Sequence, residues 1–450
     1  MATRLAPFRC ASCSHESPRW FGRCPQCGDW STAQAPPAGG GPRSVVGTLA
    51  APAAPVRRTG SGSSEVDRVL GGGFVAGEVL LLAGEPGVGK STLVLQILAG
   101  IASAGGRVLL ATGEESLAQV GLRAERLGVE GASIAALAES SLPAILAACA
   151  DESPALLVVD SIQTVEDPAH EQPAGSIVQV RECAATLARH AKATQTIVVL
   201  VGHVTKEGTV AGPRTLEHLV DAVVSLEGDR SASLRLLRAS KNRFGSCEET
   251  GVFVMERDGL AAVPDPSSML LADRCPGVSG SIVFPGLEGS RPVLVELPAL
   301  ATASDLAQPR RVPLGIDARR LSMLTGVLEK AGVRLAKRDL FASAAGGLAV
   351  REPAADLALC LAIGSAVTDV PVDERTVAVG EVGLGGEVRR VPGTERRLAE
   401  AARLGFRRAI VPANAAVEDT SIELLHVSRL TDAFPLAARA APALRAATRG

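Results

Sequence analysis

A run of nine residues, GEPGVGKST, has the composition of a phosphate-binding loop. It fits the pattern G-x-x-x-x-G-K-[ST] in full, with an apolar stretch before it and a helical pattern after it. The glycines let several backbone N–H groups face one anion, and the helix that begins at Lys90 adds its positive dipole end. We expect Lys90 to contact the β and γ phosphates of ATP, and Ser91 to ligate Mg²⁺. The predicted nucleotide-binding residues are Gly84, Glu85, Pro86, Gly87, Val88, Gly89, Lys90, Ser91 and Thr92.

Two strand-like runs further along the chain lead into acidic residues. Residues 155–159 precede Asp160, which is expected to hold Mg²⁺ because open α/β sheets bind ligands at the carboxyl ends of their strands. A strand-capping aspartate is the alternative. Residues 107–111 precede Glu114 and Glu115, one of which is expected to polarise the attacking water. Glu114 is favoured because it comes first, and an acid pair that only stabilises a helix N-terminus is the alternative.

His203 follows a further strand-like run, residues 196–201. A polar residue at the end of this strand is expected to sense the γ-phosphate. The alternative is a structural histidine with its hydrogen bonds satisfied. Lys90, Glu114, Asp160 and His203 are therefore the catalytic candidates that the residues themselves suggest.

The elements that carry these residues alternate in type. Between residues 59 and 270, short apolar runs alternate with helical patterns. This alternation predicts an α/β fold, with a mostly parallel sheet and crossover helices. The predicted strands include 79–83, 107–111, 155–159 and 196–201, and the predicted helices include 91–101 and 176–190.

The bulk composition excludes several classes of protein. The formal charge of −2 provides no global basic field for DNA, so any nucleic-acid site must be local. Aromatic residues make up 2% of the chain and Tyr is absent, which argues against base stacking as a general mechanism. No window reaches the roughly 18–20 uninterrupted apolar residues of a membrane span. Four of the nine cysteines are clustered, a distribution that favours a reducing cytoplasm over a secreted disulfide framework.

The clustered cysteines have the spacing of a structural zinc site. Two CxxC pairs are separated by ten residues, a pattern typical of tetrahedral four-thiolate coordination. Zn²⁺ would then hold together a segment too small for a core of its own, and iron or a redox pair are the alternatives. Nearby Arg19, Trp20, Arg23 and Trp30 are candidates to meet DNA or a protein partner, between which the sequence does not decide. The predicted ligands are Cys10, Cys13, Cys24 and Cys27.

Composition divides the chain into four segments. Residues 1–30 are the predicted zinc finger, and residues 31–58, rich in Ala, Pro and Gly, are a predicted flexible linker. Residues 59–270 are the predicted P-loop ATPase. Residues 271–450 begin with strands punctuated by Gly and Pro and continue with helical segments, which predicts a separate α+β domain.

Three segments together resemble the bacterial RadA (Sms) family, which belongs to the RecA/DnaB-like ATPases. They are SEVDRVLGGG before the phosphate loop, DSIQT at Asp160, and KNRFG at residues 241–245. The cysteine cluster and the last domain match as well, so the resemblance covers nearly the whole chain. It implies a recombination protein that binds single-stranded DNA and forms homo-oligomeric, hexameric rings. Using ATP, such a protein drives branch migration of branched recombination intermediates made by a RecA-type recombinase.

The resemblance also assigns a role to the KNRFG segment. In related ring ATPases, a basic pair on one subunit completes the ATP site of its neighbour by stabilising charge on the transferring phosphoryl group. By position, Lys241 and Arg243 match that pair. Taken alone, the segment is a short basic turn after a strand.

The last domain resembles the protease domain of Lon, in which a Ser and a Lys form the catalytic dyad. The matching positions here are Ala354 and Glu395. Alanine has no nucleophile, and glutamate cannot act as the neutral amine of such a dyad. Peptidase activity is therefore expected to be absent, which argues against an ATP-dependent protease.

The DNA contacts are the least defined expectation. Residues 166–179 and 206–214 follow strands on the ligand side of the predicted sheet, and Lys206 and Arg214 are candidate phosphate contacts. Ordinary solvated loops are the alternative. A rival function also stays open: a nucleotide-switched binding protein of the same ATPase class without motor activity.

Overall fold

The structure is a computed structural model that divides the chain into two compact units, Met1–Val56 and Arg57–Gly450. Each unit is described by itself below. Across the part of the chain that is described, no helix has the length and apolar character needed to cross a bilayer. The described residues are 8–13, 15–17, 19–34, 57–129, 133–203, 216–228, 234–418 and 420–438.

The first unit is built on a small antiparallel sheet. Its strands, in the spatial order β2-β1-β3, are β1 (Phe8–Cys10), β2 (Glu16–Ser17) and β3 (Ala33–Gln34). The sequence assigned Ala33 and Gln34 to the linker, but they pair with Cys10 and Arg9. This pairing extends the module to residue 34, because the backbone that presents Cys10 needs a partner strand.

The second unit begins with a large, mainly parallel sheet. In the described residues its strands lie in the order β14-β13-β12-β11-β6-β10-β9-β7-β8, and a small hairpin, β4 (Arg58–Thr59) with β5 (Phe74–Val75), precedes it. The four strands predicted from the sequence are confirmed, and the antiparallel extension from β12 to β14 was not predicted. The strands are β6 (Val79–Gly84), β7 (Val108–Thr112), β8 (Ile134–Ala138), β9 (Leu156–Asp160), β10 (Ile197–His203), β11 (Ala222–Glu227), β12 (Leu234–Asn242), β13 (Thr250–Glu256) and β14 (Gly259–Ala262).

Helices cover both faces of this sheet, which is why its central strands are apolar throughout. Alternate residues of β6 face opposite sides, so Leu80 and Leu82 pack in one cluster with Leu98, while Leu81 packs in another with Leu187. The helices are α1 (Ser64–Leu70), α2 (Lys90–Ser103), α3 (Leu117–Arg126), α4 (Leu142–Glu152) and α5 (Ile177–Thr194).

A second sheet, of mixed direction, forms the rest of this unit and matches the predicted α+β domain. Its strand order is β17-β18-β16-β15-β19-β22-β23, with a separate hairpin of β20 and β21. The strands are β15 (Ser281–Glu288), β16 (Arg291–Ala303), β17 (Arg311–Leu314), β18 (Arg338–Ser343), β19 (Thr376–Ala378), β20 (Glu381–Val382), β21 (Val388–Arg389), β22 (Arg408–Pro412) and β23 (Glu423–Val427). The helices are α6 (Pro266–Leu271), α7 (Ala318–Lys330), α8 (Asp356–Thr368), α9 (Thr394–Arg403) and α10 (Leu430–Ala437).

The two sheets of the second unit are joined by a buried ion pair. Arg291, at the start of β16, contacts Glu65 on helix α1, and neither side chain is exposed by more than 8%. Arg291 also donates to the Pro264 carbonyl at 2.7 Å, and Glu65 accepts from the Val252 amide at 2.8 Å. Because residues 57–450 form one compact unit, the boundary at residue 270 stays a prediction.

Candidate functional site

The phosphate loop joins strand β6 to helix α2, and its backbone requires glycine. Gly87 and Gly89 have φ angles of 80° and 117°, in a region that other residues disfavour. A Cβ on Gly84 would lie 2.6 Å from the Leu226 carbonyl oxygen, which is too close for any side chain. The predicted loop residues, Gly84 to Thr92, therefore form one continuous strand–loop–helix unit.

Lys90 is buried in this loop, and its ammonium group is hydrogen-bonded. Its Nζ donates to the carbonyl oxygens of Gly84 and Glu85 at 2.9 and 3.1 Å, and it lies 3.1 Å from His203 Nδ1. Burial lowers the pKa of Lys90, and two nearby carboxylates oppose that change. The charge is thus held between the loop and the end of strand β10.

Parallel pairing brings the carboxyl ends of the strands to one edge of the sheet. His203 on β10 lies opposite Gly84 on β6. Asp160 on β9 lies opposite both Val201 on β10 and Thr112 on β7. The residues that end or follow these strands consequently meet around the phosphate loop.

Ser91 and Asp160, the predicted Mg²⁺ ligands, line the same small pocket beside the phosphate loop. Burial raises the pKa of Asp160, and the hydrogen bond from the Ser91 hydroxyl opposes that shift. A hydroxyl and a carboxylate are the hard oxygen ligands that Mg²⁺ takes beside nucleotide phosphates. The pair fits an Mg²⁺ ion that keeps several of its waters.

The two candidate bases, Glu114 and Glu115, have different partners. The Ser161 hydroxyl donates to Glu114 Oε1 at 2.5 Å, and His203 Nε2 lies 3.3 Å from the same oxygen. Glu115 instead pairs with Arg123 at 2.5 Å. Glu114 therefore shares a contact network with His203, and through it with Lys90, while Glu115 faces α3.

Lys241 and Arg243 are not brought to this site. Lys241 on β12 lies opposite Val223 on β11, and Val223 lies opposite Leu81 on β6. Leu81 is three residues before Gly84, where β6 ends, so this level of the sheet is about 10 Å from the start of the phosphate loop. The Arg243 amide donates to the carbonyl of Asp221. Asp221 precedes strand β11 and so lies still further from the phosphate loop. The pair thus lies towards the other end of the sheet from the phosphate loop of the same chain.

Within the chain, both side chains of this pair have partners. Lys241 Nζ donates to the carbonyl oxygens of Glu217 and Val220 at 2.5 and 2.7 Å. Arg243 pairs with Asp221 at 3.0 Å. Burial pushes the pKa of Asp221 up, but hydrogen bonds from Lys192 and the Val79 amide hold it below its usual value. The pair is thus tied to an ionised, buried carboxylate.

Arg58 anchors the same segment, and sequence analysis missed it. Its guanidinium donates to the carbonyl oxygens of Leu70 and Gly73 at 2.9 Å each, and to that of Phe244 at 2.5 Å. Arg58 and Phe244 are 186 residues apart, and no motif surrounds Arg58. Nothing in the sequence could have signalled this contact.

Of the two predicted DNA loops, one is described. Residues 166–179 are closed by Gln179, whose amide nitrogen donates to the carbonyl oxygens of Asp167, His170 and Gln172. The loop is thus held in place by hydrogen bonds from a buried side chain. Lys206 and Arg214 lie outside the described residues.

The four cysteines of the first unit converge as predicted. All four Sγ atoms lie within 4.8 Å of one another. Cys10 and Cys27 are 3.7 Å apart, and Cys13 and Cys24 are 3.6 Å apart. A tetrahedron of thiolates about 2.3 Å from Zn²⁺ has edges of about 3.8 Å, close to these two distances, so the cluster fits the ion.

The positions that match the Lon dyad carry neither a serine hydroxyl nor a lysine amine. Ala354 is buried in a short 3-10 turn, and Glu395 lies in the first turn of helix α9. Glu352, two residues before Ala354, and Arg397, two residues after Glu395, form an ion pair at 2.5 Å, with the arginine only 1% exposed. A structural ion pair thus joins the two segments that match the dyad.

Comparison with known proteins extends these findings. The family model described as an AAA domain matches residues 48–209, that of a rubredoxin metal binding domain matches residues 8–34, and that of subunit ChlI of Mg-chelatase matches residues 328–415. The chain thus combines a RecA-like P-loop α/β core with an N-terminal four-cysteine zinc ribbon and a C-terminal Lon-like domain, as the sequence predicted.

Curated relatives match over almost the full length. The DNA repair protein RadA of Bacillus subtilis (strain 168) is 42% identical, with 96% of this chain and 99% of the relative covered. The protein of the same name in Pseudomonas aeruginosa is 44% identical with the same coverage, and that of Mycolicibacterium smegmatis is 44% identical over 90% of this chain and 91% of the relative. The chain therefore belongs to the RadA family of DNA repair proteins.

Proposed function

We propose that this chain is an ATP-driven motor in DNA repair that binds single-stranded DNA and moves the branches of recombination intermediates. It works as a homo-oligomeric ring, with six subunits as the expected number, beside a RecA-type recombinase. Family membership supports the role in DNA repair, and the phosphate loop in a domain matched by an ATPase family supports ATP hydrolysis.

The site residues divide the chemistry among them. Bound Mg²⁺ would neutralise charge on the phosphates, with Ser91 and Asp160 as its protein ligands. Lys90 exchanges its carbonyl partners for phosphate oxygens. Glu114 accepts a proton from the attacking water, and His203, in contact with both Lys90 and Glu114, senses whether the γ-phosphate is present.

One observation carries the assembly part of the proposal. Lys241 and Arg243 lie away from the phosphate loop of their own chain, because strand β11 separates β12 from β6 and the pair lies towards the other end of the sheet. A basic pair at that place can stabilise phosphoryl charge only in a neighbouring subunit. The ATP site is then complete only between two copies, and the contact is head-to-tail, as in rings.

The first experiment measures ATP turnover with and without single-stranded DNA. We expect DNA to stimulate turnover, Lys90→Ala to abolish it, and Lys241→Ala to lose the stimulation while ATP still binds. Turnover that ignores DNA at low salt would overturn the motor and favour the nucleotide-switched binding protein, the second candidate, whose near-neutral net charge is its supporting observation.

A mixing experiment tests the shared site. Lys90→Ala subunits keep the basic pair, and Lys241→Ala subunits keep the phosphate loop, so a mixed ring rebuilds complete sites at some interfaces. Random equal mixing should restore up to about a quarter of the wild-type interfaces. Mixtures as inactive as the separate variants would contradict a site shared between subunits.

A further inference from the structure

The zinc ribbon holds both tryptophans of the chain, and both are exposed. Trp20 and Trp30 are 65% and 71% exposed, although indole rings usually bury most of their surface. The chain has two Trp and no Tyr. The low aromatic content argued against base stacking in the chain as a whole. It does not argue against stacking here, because every indole belongs to one small module.

A guanidinium is held over one of the two rings. Arg23 and Trp30 face each other across an antiparallel bridge, which puts their side chains on the same face of the ribbon. The Arg23 guanidinium lies 5.7 Å from the centre of the Trp30 ring, and its Nε donates to the Gly28 carbonyl at 2.9 Å. Cation and ring are therefore positioned together and reach solvent together.

Trp20 belongs to the same ribbon. A Cβ on Gly22 would lie 3.4 Å from the Trp20 ring, so the indole covers this glycine. The Gly22 carbonyl accepts from the Ser31 amide at 2.8 Å, next to Trp30. Exposed Arg19 precedes Trp20, and the Ser17 hydroxyl donates to the Arg19 carbonyl at 2.8 Å. Two rings and two guanidinium groups thus share about a dozen residues of chain.

The charge of the first unit complements a polyanion. Residues 1–56 contain five arginines and two carboxylates, while the whole chain has a formal charge of −2. The unit stays positive even with the excess negative charge of four thiolates on one zinc ion. The basic character that is missing from the whole chain is therefore local to this module.

We propose that the zinc ribbon is a binding platform for single-stranded nucleic acid. Bases stack on Trp20 and Trp30, and Arg19 and Arg23 contact the phosphates beside them. The pairing of Trp30 with Arg23, beside a second exposed ring and a second guanidinium in a module of net positive charge, favours a polyanion with flat bases over a protein partner. This inference rests on the proposed function for its class of ligand and adds to it a second contact outside the ATPase core.

The fluorescence of Trp20 and Trp30 provides a probe for this module. Because its two tryptophans lie in this module, the tryptophan emission of the full, zinc-loaded chain reports on the module alone. We expect oligothymidylate to quench this emission saturably, with stronger binding at low salt. An abasic oligomer of the same length, which keeps the phosphates and lacks the bases, should leave the emission nearly unchanged if stacking is the contact.

Variants separate stacking from charge. Trp20→Ala and Trp30→Ala should each weaken oligothymidylate binding about tenfold, whereas Trp20→Phe and Trp30→Phe should largely restore it because a ring remains. Arg23→Gln should lower the dependence of binding on salt by about one phosphate contact. Val278→Ala, at an exposed apolar position outside the module, is the matched control and should change neither oligothymidylate binding nor basal ATP turnover.

Each outcome has one meaning. Quenching that is lost in the alanine variants and kept in the phenylalanine variants supports the platform. DNA-stimulated turnover with unchanged emission would overturn the platform and leave the proposed motor standing. Emission that responds only to an added recombinase would overturn it in favour of a protein partner. Absence of both quenching and DNA-stimulated turnover would overturn the platform together with the proposed function.

Discussion

Glu114 and Glu115 are neighbours in the chain, but their contacts give them unequal chemistry. We expect Glu114→Gln to lower kcat for ATP about 100-fold or more, because the amide fills the same space and cannot accept a proton. ATP binding should persist, since Lys90 and the loop are untouched. Steady-state turnover and nucleotide titration measure the two effects.

Glu115→Gln is the control for that prediction. Glu115 pairs with Arg123 and lacks the contacts to Ser161 and His203 that Glu114 makes. We expect its loss to change kcat little. Equal losses of kcat in the two variants would contradict the assignment of the base to Glu114.

Glu78 makes the stability of the second unit depend on pH. It is buried just before strand β6, where burial raises its pKa to about 7, against a hydrogen bond from the Val75 amide. A carboxyl whose pKa is raised on folding contributes its full stability below about pH 4.5 and loses it as the pH rises through about 7.

Comparison with Glu78→Gln isolates the contribution of this one group. Between about pH 5 and pH 8, wild type should lose about 2–3 kcal/mol of unfolding free energy relative to Glu78→Gln. Denaturant titration at several pH values measures the difference. Glu256→Gln, at an exposed position, is the control, and a pH-independent difference for Glu78→Gln would count against the prediction.

At the scale of elements, hairpin β4–β5, helix α1 and the KNRFG segment meet at Arg58. Its three carbonyl contacts fix the segment that follows β12. We expect Arg58→Ala to speed amide exchange at Arg243 and Phe244 and to cost about 2–3 kcal/mol of stability, since three carbonyls lose a charged donor. Hydrogen exchange and thermal melting are the measurements.

The neighbouring residue provides a matched comparison. Arg57 is exposed, so Arg57→Ala should leave both the exchange rates and the melting temperature near their wild-type values. Arg58→Lys should not rescue the segment, because an ammonium lacks the planar fork that reaches three carbonyls. Rescue by lysine would mean that charge alone, without geometry, holds the KNRFG segment.

Elements with a local signal were predictable, and contacts between distant segments were not. The β6 and β9 runs are apolar and end in recognisable chemistry, so the placement of Gly84 and Asp160 at the same edge of the sheet followed from parallel pairing. Strand β8 was missed because its sequence, IAALA, is half-exposed and poor in β-branched residues. The Glu65–Arg291 pair joins positions 226 residues apart, and only the tertiary fold selects such partners.

At the scale of the whole molecule, zinc should matter to one unit only. Chelation is expected to unfold the first unit, because four thiolates around a metal replace the core that it lacks. The thermal transition of residues 57–450 should stay unchanged, since they form their own compact unit. Calorimetry with and without chelator, and a colorimetric assay of released zinc, measure these effects.

Counting the reactive cysteine thiols provides a second measurement of unfolding on chelation. Cys247 and Cys275 are exposed, while Cys149, Cys183 and Cys360 are buried in the second unit. Reactive thiols should therefore rise from two to six on chelation, as the four cluster cysteines are released. Reaction of all nine would show that the second unit also unfolds, contrary to the prediction.

The antiparallel return of strand β12 has a consequence for how the proposed enzyme responds to dilution. Each protomer carries the two halves of the proposed ATP site at different ends of its strands, so an open row of protomers always has one unmatched half at each terminus. Closure into a ring removes both termini at once. Turnover per protomer should consequently fall away steeply below a threshold concentration, and a single subunit that lacks both Lys90 and Lys241 should silence its neighbour's site as well as its own.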